Sequence, residues 1–188
     1  RMGRKILNFA EKIFNSDFFL GGEAKKQAES LQKIINNHIR LKKLGFPIIN
    51  TMRLMDTLEG SEKRLLVTDL SENGKNLVLS ATTQDFHKNL ELSNPQEVNQ
   101  ELLEIYELLN LNSISLGNYD VPFLVVDKET KRGRIILGDL EQVSFMEKDE
   151  FARESTKNHN LSGLRDFAWL INHKFLLNGE LELIPDTV

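Results

Sequence analysis

The sequence contains no cysteine. Disulfides and thiolate metal sites are therefore excluded, and a reducing, cytoplasmic setting is the expectation. Long apolar runs are missing too, and nothing approaches the ~20 residues that a membrane-crossing helix needs. Arg1 to Ala10 lacks the apolar stretch of a secretory signal. Histidine is scarce. His38, His87, His159 and His173 include no pair at ligand spacing on one helix, so a zinc site is not expected. No serine stands in a nucleophile-elbow context, which leaves a hydrolase triad without support. What remains is ordinary globular material. The chain has 188 residues, 40% of them hydrophobic and 28% charged, enough for one domain or two small lobes with a real core.

The net charge of −4 conceals a division. Residues 1 to 54 carry 11 Lys and Arg against 4 Asp and Glu, while residues 55 to 188 carry 13 against 24. A basic front end can meet phosphate, nucleic acid or the acidic remainder of its own chain. Complementarity within the chain is the favoured reading. A nucleic-acid partner is not expected, because the basic region has few aromatics and the whole protein is acidic.

Residues 4 to 20 read as either a helix or a strand leading to Gly21-Gly22. From Glu23 to Leu44 the spacing is helical, with Ala24, Ala28, Leu31, Ile35 and Ile39 on one stripe and Gly45 and Pro47 as stop signals. Ile48 to Met55, Arg64 to Leu70 and Lys75 to Ser80 predict a three-stranded antiparallel meander, the last turn closed by Asn73-Gly74. Asn94 reads as an N-cap, with Pro95 and Glu97 behind it, for a helix burying Val98, Leu102, Ile105 and Leu109. Met146 to Lys157 reads as a short polar helix. A final helix capped by Ser162 or Asn160 buries Leu164, Phe167, Ala168, Ile171 and Phe175. Trp169 reads as core, and His38 and His173 as edges of helix stripes.

The segment with a hint of chemistry is Phe123 to Val143. Two β-branched runs flank a polar turn closed by Gly133, a hairpin signal, and the second run ends in Gly138-Asp139. A carboxylate where a strand stops suits a divalent cation; the plainer alternative is a capping aspartate in a turn. Asp120, Asn118 and Glu141 are the candidate oxygen ligands near it in sequence.

The order of elements, with Val125-Val126-Asp127 and Ile135-Ile136-Leu137-Gly138-Asp139-Leu140 as the hairpin, resembles the protein-kinase-like fold. That resemblance covers residues 1 to 145 and implies an α+β architecture, a small antiparallel sheet with a packed helix followed by a mostly helical lobe. The expected division places the first lobe at residues 1–84 and the second at 85–188. It implies that Asp139 binds magnesium, that Thr68, Asp69 and Leu70 form the strand entering a nucleotide-binding hinge, and that Lys12 pairs with Glu29 to orient the phosphates of ATP. Lys5 with Glu23 would serve that last role equally. The family's glycine-rich phosphate loop is absent. Asn118 and Phe123 stand at the base aspartate and the asparagine about five residues after it, leaving Asp120 as the nearby candidate catalytic residue. Asp139 is followed by Leu-Glu rather than Phe-Gly. These departures imply a weak or non-catalytic nucleotide-binding or protein-interaction module. An active magnesium-dependent phosphotransferase and a structural α+β domain without a nucleotide site are the alternatives.

Overall fold

The computed structural model describes residues 24–50, 52–56, 63–80, 90–118, 120–151 and 154–175. The reading of residues 4–20, together with Lys5, Lys12, Glu23 and His87, lies outside them. The described chain is α+β. In order it forms α1 (Ala24–Lys43), β1 (Met52–Asp56), β2 (Lys63–Val67), β3 (Asn76–Ser80), α2 (Pro95–Leu111), β4 (Ile114–Ser115), β5 (Pro122–Asp127), β6 (Gly133–Leu137), β7 (Ser144–Phe145), α3 (Lys148–Phe151) and α4 (Glu154–Phe175). All strand pairings between these elements are antiparallel, in sheets β1–β2, β3–β5–β6 and β4–β7.

The inward face of α1 carries Leu31, Ile34, His38 and Leu41, residues three or four apart that share one side of a 3.6-residue helix. Ile39, expected on this stripe, is 45% exposed. The true stripe runs one residue out of phase with the expected one because Asn37 and His38 are buried as well. Gly45, at φ +87°, ends the helix. The Phe46 and Gly45 amides donate to the carbonyls of Leu41 and Lys42, the bonding pattern of a glycine-stopped helix.

The three-stranded meander is not what forms. β1 and β2 pair alone, with Arg53 opposite Leu66, whereas β3 pairs with β5, placing Val78 opposite Val125. Leu66 and Val78 therefore lie in separate sheets. Between β2 and β3 the chain reverses through Glu72, Asn73 and Gly74, all at positive φ, a turn that does not by itself select the strand β3 joins. Through this pairing β3, from the first expected lobe, joins a sheet whose other strands come from the second.

The outer edge of β6 is closed residue by residue. Asn94 exchanges hydrogen bonds with the Gly133 backbone, accepting at 2.7 Å and donating at 3.0 Å. Ile135 N–H donates to Glu101 Oε2 at 2.7 Å. Leu137 N–H donates to Pro47 O at 2.8 Å and its carbonyl accepts from Ile49 at 3.1 Å. An edge strand thus loses the open donors and acceptors that invite pairing with another chain. It also explains why the Asn94 side chain does not cap α2: its Oδ1, the atom a cap would use, accepts from Gly133 N–H instead.

The last expected helix boundary also moves. α3 is only Lys148–Phe151, and α4 already begins at Glu154. Asn160 and Ser162 are therefore inside the helix, not at its cap. Asn160 is wholly buried and brackets β4, accepting from Leu116 N–H at 2.8 Å and donating to Ile114 O at 2.7 Å. Leu164, Phe167, Ala168 and Ile171 bury as expected. Trp169 does not. It is 51% exposed and stacks on His173 one turn away, with ring centroids 4.9 Å apart.

Candidate functional site

The β5–β6 hairpin forms because its turn is satisfied from within. Asp127 Oδ1 accepts from the amides of Glu129 and Thr130 and from the Thr130 hydroxyl. These bonds, the Thr130 amide foremost, hold the Asp127 carboxyl below the usual range. At the far end, Gly138 N–H donates to Val121 O at 3.0 Å. A Cβ at Gly138 would meet the Phe123 ring at 2.8 Å, so any side chain here would have to push that ring aside. That bond sets Asp139, the next residue, beside Asp120, the residue before Val121.

Asp139 does not face open solvent as its strand-end position suggests. It is partly buried, and desolvation pushes its carboxyl above the usual range. A hydrogen bond from the Glu141 amide acts the other way, while the charges of Glu141 and Asp120 push upward again. Asp120 has a buried carboxylate oxygen, Oδ1, with no hydrogen-bond partner. The structure therefore brings two of the sequence-predicted residues together, with Glu141 as a third acid within electrostatic reach.

The loop after Asp139 is seated on α1. Asn37 Nδ2 donates to both Leu140 O, at 3.0 Å, and Val143 O, at 2.9 Å. Ser30 Oγ lies 3.4 Å from Glu141 Oε1, and the Arg40 guanidinium lies 3.4 Å over the Phe145 ring. Glu29, Ser30 and Lys33 on α1 and Glu141 and Gln142 on the loop line an open groove of about 640 Å³. Glu29 is thus brought to the loop that carries Asp139. Lys33 was missed by sequence reasoning, although its place four residues after Glu29 on one helix face was a legible signal.

The expected hinge residues are engaged elsewhere. Asp69 folds the following turn, accepting from Ser71 N–H at 2.9 Å, Ser71 Oγ at 2.7 Å and Asn73 N–H at 3.1 Å. These bonds, led by the Ser71 hydroxyl, hold its carboxyl below the usual range. The carbonyl of buried Leu70 accepts from Asn76 Nδ2 at 3.0 Å. Thr68 is half-buried beside them.

A second depression, about 370 Å³, lies over β5 and β6 between the start of α2 and β3. Its charges are mutually satisfied: Arg132 with Glu97, Arg134 with Glu72, and Lys75 with Asp127. Glu101, also on its wall, is pushed up in pKa by burial.

Magnesium keeps several waters and needs only one or two carboxylates when phosphates supply further oxygens. The orphaned oxygen of Asp120 next to Asp139 fits that donor set. A site made of protein ligands alone is another matter, since no three His, Cys, Asp or Glu side chains among the described residues are arranged to hold a metal ion. No helix among the described residues is long and apolar enough to cross a membrane. No protein-family model matches this sequence, and a search of curated proteins finds no similar one.

Proposed function

We propose that this chain is a divergent protein-kinase-like domain that acts as a weak or non-catalytic nucleotide-binding or interaction module. The observation that supports it is the placing of Asp139, at the end of the β5–β6 hairpin, within electrostatic reach of Asp120, whose buried Oδ1 has no partner, ahead of a loop seated on α1. In this reading Asp139 and Asp120 hold magnesium, and the ion supplies charge neutralisation to the phosphates of ATP. Phosphoryl transfer rests almost wholly on positioning and charge stabilisation. A chain without a phosphate loop or a base in the expected place therefore binds without turning over at the ~1–100 per second of kinases.

Titration calorimetry with ATP, with and without magnesium, tests this on the wild type and on Asp139→Asn. The reading expects magnesium-dependent binding that the substitution removes, and no kinase-range turnover. Equal affinity of the two proteins would remove the metal role of Asp139. No binding by the wild type at millimolar nucleotide would leave the domain without a nucleotide site. That second reading has its own support: the raised pKa of Asp139 and the internal use of Asp69 and Leu70 suit a structural or interaction domain.

A further inference from the structure

Asn37 is buried in the middle of α1, where an amide side chain ordinarily carries an unfavourable desolvation cost. It is retained with both Nδ2 protons used, one on Leu140 O and one on Val143 O. These carbonyls belong to the loop that begins at Asp139, more than 100 residues away in sequence. Ser30 and Arg40 touch the same loop at Glu141 and Phe145. Residues 30, 37 and 40 recur at helical spacing, so they form one stripe about 15 Å long at 1.5 Å per residue. Loop residues 141 to 145 run along it in the same direction. The hairpin fixes only the start of this loop, through the bond from Gly138 to Val121. Beyond Asp139, the two Asn37 bonds are the buried side-chain ties to α1.

We propose that Asn37 is the positioning residue of the Asp139 site: it holds the 139–143 loop in the conformation that keeps the Asp139 carboxylate beside Asp120. A helix residue with no carboxylate of its own then sets how well a divalent cation is held. The cation part of this inference rests on the functional reading above; the positioning part stands on the hydrogen bonds alone. Leucine at position 37 fills the same space but donates nothing. It leaves the carbonyls of Leu140 and Val143 buried and unpaired, which the loop relieves by moving.

Two measurements on Asn37→Leu test it. The first is hydrogen exchange of the loop amides from Leu140 to Phe145, with the β5 amides of Leu124 and Val126 reporting global stability. The second is binding of Mn²⁺ with ATP, read by water-proton relaxation under conditions where both proteins are folded. The expected result is exchange about tenfold faster in the loop with β5 unchanged, and Mn²⁺ affinity lowered about tenfold or more. Unchanged loop protection, or faster exchange spread equally over β5, would overturn the positioning role. A loosened loop with wild-type Mn²⁺ affinity would overturn the link to Asp139. If the wild type binds no Mn²⁺ with ATP, the functional reading fails and the exchange data alone decide whether Asn37 holds the loop. Should Asn37→Leu not fold, Asn37→Ser gives the same two readings, since its short hydroxyl cannot reach both carbonyls.

Discussion

Replacing Asn160 by leucine tests the physical account of this fold most directly. The side chain is wholly buried on α4 and makes two hydrogen bonds, one from Leu116 N–H at 2.8 Å and one to Ile114 O at 2.7 Å. Leucine is close in volume, so the cavity contribution is small. What changes is that one backbone donor and one backbone acceptor, both in or next to β4, lose their partners inside the protein. Each buried, unsatisfied group costs about 1–3 kcal/mol, so the pair costs roughly 4 kcal/mol. For a domain of this size about 1 kcal/mol moves Tm by 2–4 °C, and the expected fall is about 8–16 °C. Urea denaturation with matched m-values, together with thermal melts, measures it. A variant within about 1 kcal/mol of wild type would refute the claim that the amide is a structural bracket. Asn160→Asp adds a signature of its own. The carboxylate still accepts from Leu116, but when ionised it faces the Ile114 carbonyl with no proton to donate. Protonation restores both bonds. The pKa of this aspartate is therefore raised in the folded state. Its stability contribution is full in acid and lost as pH rises through that raised value.

Asp139→Asn is expected to raise stability at neutral pH, because burial and neighbouring charge raise the folded pKa of Asp139 and the ionised wild type carries that penalty. The gain shrinks as pH falls below the raised pKa, and denaturation at about pH 7.5 and about pH 4 checks the sign. Gly117→Ala is expected to cost more than about 2 kcal/mol. The residue has φ +71°, and a Cβ would stand 2.5 Å from Gln142 O, a backbone atom that yields only if the chain itself shifts. Asp69→Ala is expected to cost about 1 kcal/mol by unfastening its turn. Because the folded pKa of Asp69 is lowered, that contribution is present above its ordinary value and disappears as pH drops through the folded one, which an acid titration of both proteins reads.

The elements legible in the sequence are those whose cause is local. α1, α2 and the β5–β6 hairpin follow from helical spacing, from Pro95 behind Asn94, and from two β-branched runs around a polar turn. Partner choice between strands was not legible. β3 carries the same kind of apolar residues whether it lies beside β2 or β5, and Asn73-Gly74 signals a reversal without saying which strand receives it. Asn94 and Asn160 read as caps because polar residues near a helix start usually are, and nothing in the sequence singles out Asn37. All three instead substitute for peptide groups on strands and loops far away in sequence. At the candidate site Asp139 and Asp120 were both legible, and the hairpin explains their meeting. The desolvation of Asp139 was not, since burial of a single carboxylate leaves no pattern in the sequence, nor was the groove holding Lys33, which depends on α1 docking against a loop about 100 residues later.

That docking has a consequence for synthesis. The partners of α1 around residues 140 to 145 leave the ribosome long after the helix itself. At about 5–20 residues per second, the intervening hundred take roughly 5–20 s. Throughout that interval the amide of Asn37 lacks its two carbonyl acceptors and Arg40 lacks its aromatic ring. The helix can form early, yet its docking cannot be completed until late. The nascent chain thus carries α1 with an amide, buried in the finished fold, still unpaired until the loop arrives. Ribosome stalling before residue 137, which also withholds the Ile48–Leu137 bridge, would turn a well-packed protein into an aggregation-prone one with no change in its sequence.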